Sequence, residues 1–189
     1  MNDFSSWVKQ ARELYDVRQN LSNDYAYEYE FSEYGPRLYG IGLTSQAYGP
    51  RIAKRLAYEL SARKNSAKNK CGDIGLVKNA EVKSSIGKDE LHIVQIRLKE
   101  QCDYIIVFWN LSDNDLFHIF YLTRDEMIKE AKLCRFTAAH GSSDKFNSIE
   151  EAIEKEIELR CTLKTSDTHY NRWQQNYKTT LKQIKKNLS

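Results

Sequence analysis

Residues 71–86 read CGDIGLVKNAEVKSSI, and the fold turns on how this stretch is read. Residues 73–78 (DIGLVK) and 80–86 (AEVKSSI) are short and strand-like, with a tight turn near Asn79. They predict a hairpin. Downstream, residues 91–96 (LHIVQI) form a third strand-like run and residues 116–122 (LFHIFYL) a fifth. The fourth, residues 104–109 (YIIVFW), is apolar on both faces, as a central buried strand must be. Upstream, residues 48–64 (YGPRIAKRLAYELSARK) predict a helix: Pro50 suits a first helical position, and Ile52, Leu56 and Leu60 recur every four residues. A further amphipathic helix is expected over 3–19, then an irregular Tyr- and Gly-rich region to residue 47. Thr123 and Glu126 make a capping box for a helix over 123–132. Ser148 caps a helix over 148–160, with Ile149, Ile153 and Ile157 on one stripe, and residues 166–187 read as basic and helical. The expectation is a single α/β domain, bordering on α+β, with a central mixed five-stranded sheet flanked by helices. Within it, residues 1–47 form an N-terminal region, 48–132 the core, and 133–189 a helical C-terminal region.

The hairpin carries unusual chemistry. Side chains alternate along a strand, so Glu81 and Lys83 share a face. A tight hairpin brings Asp73 beside Glu81. Ordinary cores do not place Asp, Glu and Lys at inward positions of short strands. Two carboxylates suit a hard cation such as Mg²⁺, and a neighbouring ammonium suits a water nucleophile and the charge that develops when a phosphodiester is attacked. The same Glu-Val-Lys spacing also fits an ion pair on the wet face of a surface hairpin.

Charge is distributed unevenly. The chain has 189 residues and a net charge of +3, yet residues 41–99 carry 12 basic and 5 acidic side chains, and residues 161–189 carry 6 and 1. A basic middle block and a basic tail suit a polyanion. Phosphate contacts would come from Arg51, Lys54 and Arg55. Candidates to reach DNA bases are Gln95, Arg97 and Lys99, together with His140, Ser142, Lys145 and Asn147. No run approaches 18 apolar residues, so no membrane partner is expected. The N-terminus lacks the basic and apolar regions of an export signal, and Cys71, Cys102, Cys134 and Cys161 show no CxxC spacing. A cytoplasmic location with reduced thiols is therefore expected.

The motif Gly72-Asp73-Ile74-Gly75 followed by Glu81-Val82-Lys83-Ser84-Ser85 resembles that of the PD-(D/E)XK nuclease superfamily, in particular type II restriction endonucleases. Gly72 stands where Pro is usual. The Gln95-Ile96-Arg97 run, followed by Asp103-Tyr104 and an apolar strand, is similar to the third and fourth core strands of short members of that class. Ala139-His140-Gly141-Ser142 followed by Asn147 resembles a downstream segment of such proteins. The resemblance spans about residues 45–150. It implies a restriction-endonuclease-like core, with Asp73 and Glu81 as Mg²⁺ ligands, the Val82 carbonyl as a third, and Lys83 as the catalytic lysine. Glu59, on the preceding helix, could join the site or be a solvated glutamate among Arg51, Lys54, Arg55 and Arg63. The activity implied is sequence-specific cleavage of double-stranded DNA to 5′-phosphate ends by a homodimer, with a cognate DNA methyltransferase in the same system. A structure-specific repair nuclease of the same fold and a non-catalytic DNA-binding protein are the alternatives.

Overall fold

The computed structural model describes residue 53 and residues 56–65, 72–87, 89–110, 117–139 and 145–189. The expectations for residues 1–52, including the helix over 3–19, lie outside these. A helix, α1, runs through residues 56–60 with Ala53 a turn earlier. It ends at Ser61, whose φ of 54° is left-handed. Two short strands follow, β1 (Arg63–Lys64) and β2 (Ile74–Gly75), then β3 (Asn79–Gly87), β4 (Glu90–Ile96), β5 (Asp103–Asn110) and β6 (Phe117–Leu122). Helix α2 (Arg124–Leu133), β7 (Thr137–Ala138), helix α3 (Ile149–Glu154), β8 (Leu159–Lys164), and helices α4 (Thr168–Asn176) and α5 (Leu181–Leu188) complete the chain.

The fold is mixed α/β with a five-stranded mixed sheet in the order β1-β2-β3-β5-β6. Strand β3 is antiparallel to β2 and parallel to β5, and β5 is antiparallel to β6. Strand β5 is the buried strand its composition predicts. Tyr104, Ile106 and Phe108 face one core, and Ile105 and Val107 face the other. Helices α1 and α5 cover the second face with Leu56, Leu60, Ile184 and Leu188.

The first face is covered differently from expectation. The run 91–96 is not a strand of the five-stranded sheet. It pairs antiparallel with β8 in a separate three-stranded sheet, β4-β8-β7. Arg63–Lys64, expected as the end of a helix, takes the fifth place instead. The cause is amphipathicity: Leu91, Ile93 and Ile96 are buried on one side of β4, and that side lies against Tyr104, Ile106 and Phe108. The backbone N–H of His92 donates to the Ser85 hydroxyl at 2.9 Å, tying β4 to β3.

The helix expected over 148–160 stops at Glu154, because Glu156 adopts a left-handed φ of 56°. Beyond it, Leu159, Cys161 and Leu163 are buried and alternate with exposed Arg160, Thr162 and Lys164. That period of two makes β8 a strand. The expected helix over 166–187 is two helices, and the segment between them lies along β6: the Tyr121 N–H donates to the Tyr177 carbonyl at 3.0 Å and the Thr179 N–H to the Ile119 carbonyl at 2.9 Å. This covers a sheet edge that would otherwise be open. The capping box of α2 forms as expected, with Thr123 and Glu126 bonding each other's backbone N–H. Among the described residues no helix is long and apolar enough to cross a membrane.

Candidate active site

Asp73 precedes β2 and is held from both sides of its peptide. Its N–H donates to the Ala80 carbonyl and its C=O accepts from Asn65, each at 2.8 Å. The buried Asn65 amide also donates to the Gly72 carbonyl and to Asn79 Oδ1, both at 3.2 Å. Gly72 has φ +73°, and a Cβ on it would lie 2.7 Å from the Ala80 carbonyl carbon. Proline is fixed near φ of about −65°, so this turn excludes Pro at the place where the motif departs from its usual form. Gly72→Ala combines left-handed strain with a backbone clash. It should cost more than about 2 kcal/mol, read as a lower midpoint in denaturant unfolding.

With the turn fixed, Asp73 Oδ2 accepts the Val82 N–H at 2.8 Å. The Asp73 carboxylate thus takes the place of a strand partner and lies against the Glu-Val-Lys segment. Glu81 and Lys83 stand opposite Tyr104 and Ile106 of β5 and share a face. Lys83 Nζ donates to Glu81 Oε1 at 2.7 Å, and the side chains are only 13% and 10% exposed. An ordinary ion pair on a wet hairpin face would not be this sheltered.

The site holds a carboxylate that the sequence reading missed. Glu100, in the β4–β5 connection, accepts a hydrogen bond from the Gly72 N–H. Ligand atoms of Glu81, Glu100 and Cys102 all lie within 4.8 Å of one another. Glu100 comes 17 residues after Lys83 in a polar turn, and no short motif marks it. Burial raises the Asp73 carboxyl above its ordinary pKa, and the negative charge of Glu81 adds to the effect. Burial and Glu81 raise Glu100 in the same way. Lys83 and Arg97 oppose both shifts without cancelling them. Carboxylates crowded in this way gain from a divalent cation, and their oxygens suit a hard one. The neighbouring thiol of Cys102 is a softer donor.

The other candidates are placed less centrally. Glu59 is exposed on α1, which packs on the opposite face of the sheet from Glu81 and Lys83. Arg97 pairs with Glu158 at 2.7 Å and lies 3.8 Å from Glu100. Lys99 pairs with Glu156. Gln95 is half-buried at a β-bulge with φ 57°, a strained conformation for a non-glycine residue. Lys145 is exposed, and Asn147 donates its N–H and side-chain amide to Glu151 at the start of α3. Arg51, Lys54, Arg55, His140 and Ser142 lie outside the described residues.

The fold and this cluster define a mixed α/β domain with acidic groups and a lysine gathered at one end of a five-stranded sheet. No protein-family model matches the chain, and no curated protein is similar to it in sequence.

Proposed function

We propose that this chain is a Mg²⁺-dependent DNA endonuclease with a restriction-endonuclease-like core, of the PD-(D/E)XK type II restriction class. It would hydrolyse phosphodiester bonds in a specific duplex sequence and leave 5′-phosphates. The observation that carries this reading is the sheltered cluster in which Asp73 bonds the Val82 N–H and Lys83 pairs with Glu81. Asp73, Glu81 and the Val82 carbonyl would hold the cation, with Glu100 close by. Bound there, Mg²⁺ would neutralise phosphate charge and acidify a water. Lys83 orients the attacking water and faces the charge that develops on the phosphoryl oxygens. Its pairing with Glu81 holds the ammonium in place before substrate arrives.

A homodimer on a palindromic site would place one such cluster on each strand. A cognate methyltransferase would protect that site in the host.

The test is digestion of fully sequenced DNA with Mg²⁺, followed by mapping of the ends. Fixed termini bearing 5′-phosphates, lost with EDTA, are the expected result. Preferential cutting of flaps or junctions would move the protein to the repair class. DNA binding that survives EDTA with no turnover would make it a non-catalytic binder.

A further inference from the structure

We propose that the groove between the hairpin turn 76–78 and helix α5, together with the exposed lysines of α5 beside it, binds the phosphodiester backbone of DNA. The inference rests on the nuclease reading and adds a surface to it. The groove has a volume of about 380 Å³, and its lining includes Lys78, Lys178, Asn176, Gln183, Asn187 and Glu126. Val77 and Lys78 both donate backbone N–H groups to the Leu188 carbonyl, at 3.0 and 2.9 Å, so the hairpin turn is fastened to the end of α5.

Two observations point to a polyanion. The first is charge. Residues 176–189 contain Lys178, Lys182, Lys185 and Lys186 and no acidic side chain. Glu126, the acidic lining residue, is engaged by the N–H and hydroxyl of Thr123 at 2.7 and 2.8 Å.

The second is the lack of local neutralisation. Lys78, Lys182, Lys185 and Lys186 carry no ion pair among the described residues. By contrast Lys83, Lys99, Lys132 and Lys155 each pair with a glutamate. Gln183 and Asn187 line the groove, and because Ile184 and Leu188 are buried, the helical period turns Lys182 and Lys186 to the exposed side of α5. Amide and ammonium donors along one channel suit phosphate oxygens.

The experiment uses the full chain carrying Asp73→Asn, so that turnover does not consume the probe. Binding of a fluorescein-labelled duplex is followed by anisotropy across a salt series. The combined variant Lys78→Ala, Lys182→Ala and Lys186→Ala is compared with Lys129→Ala, Arg160→Ala and Lys164→Ala, which removes equal charge elsewhere. All six residues are exposed, so both variants should stay folded. The groove variant should bind on the order of tenfold more weakly, with a salt slope shallower by about 0.9 for each phosphate that the lysines no longer neutralise. The control should bind like its parent. Equal affinity and slope in the two variants would overturn the proposal. So would tighter, lysine-dependent binding to phosphatidylserine vesicles than to DNA. Mg²⁺ cleavage by the wild-type chain is scored separately. Cleavage with unaltered binding by the groove variant defeats the groove alone, whereas lysine-dependent binding without cleavage defeats the nuclease reading alone.

Discussion

Asp73→Asn is expected to abolish Mg²⁺-dependent cleavage while making the metal-free protein more stable. The amide oxygen keeps the Val82 N–H bond, so the local backbone has no reason to move. On the proposed nuclease reading what disappears is a cation ligand, and removing a charged group that acts on the transition state costs orders of magnitude in rate. What is gained is relief, because burial and then the charge of Glu81 disfavour the ionised form of Asp73. The gain should be on the order of 1 kcal/mol, as is common when a strained functional site is neutralised. The pH dependence follows from the raised carboxyls of Asp73 and Glu100. Their folded pKa values exceed the unfolded ones, so the stability they contribute is present below the unfolded value and is lost as pH rises through the folded value. The metal-free wild type should therefore weaken over that rise more than Asp73→Asn does, and Mg²⁺ should offset the loss. Denaturant midpoints at several pH values, with and without Mg²⁺, measure this. Near wild-type cleavage by Asp73→Asn would remove Asp73 from the catalytic assignment.

Lys83→Ala is a less clean probe than its place in the motif suggests. Glu81 is 8% exposed, and removing Lys83 leaves a sheltered carboxylate without its cation. A loss of activity in that variant would mix chemistry with unfolding.

The second large effect concerns stability, far from the cluster. Glu130 of α2 is wholly buried and accepts bonds from Trp173 Nε1 at 2.8 Å, Tyr177 OH at 2.9 Å and Arg172 Nε at 3.3 Å. Burial pushes this carboxyl up, but the bonds from Arg172, Trp173 and Tyr177 outweigh it and hold the pKa below the usual glutamate value. Arg172→Ala would strand the charge and should cost about 3–5 kcal/mol. A depressed pKa gives stability that is present above the unfolded value and lost as pH falls through the folded one. The wild type should therefore lose this contribution in acid, and the gap between wild type and Arg172→Ala should narrow as pH falls. Glu130→Gln, which keeps an acceptor and removes the charge, should cost less. Thermal melts of the three proteins across pH check this ordering. A full-sized gap persisting in acid would mean that the arginine acts through packing.

Local signals carry much of the architecture. The Thr123–Glu126 box and the doubly apolar run 104–109 are short-range patterns, and each forms the element it predicts. The Glu-Val-Lys spacing puts Lys83 on Glu81, while Asp73 bonds the Val82 N–H between them. Misreadings arise where two periods overlap. Ile149, Ile153 and Ile157 suggest a long helix, while the alternation in Leu159–Lys164 that makes a strand is also present in the sequence. Residues 91–96 read as a strand and form one, but in a different sheet from the one expected. A strand's own residues state which side is apolar, not which partner will satisfy its backbone.

By itself, the sequence determined that a hairpin forms and that Glu81 and Lys83 share a face, because strand periodicity permits little else; the turn falls at 76–78 rather than near Asn79, which lies in β3 and pairs with Gly75. Tertiary structure alone decided that β8 reaches back to pair with β4. It likewise decided that Glu100 and Cys102 close on Glu81, that Gly72 must be left-handed, and that the turn 76–78 is fastened to α5. These pairings join segments distant in the chain. They are set by which apolar faces bury one another and which backbone groups then need partners, and no local pattern encodes that choice.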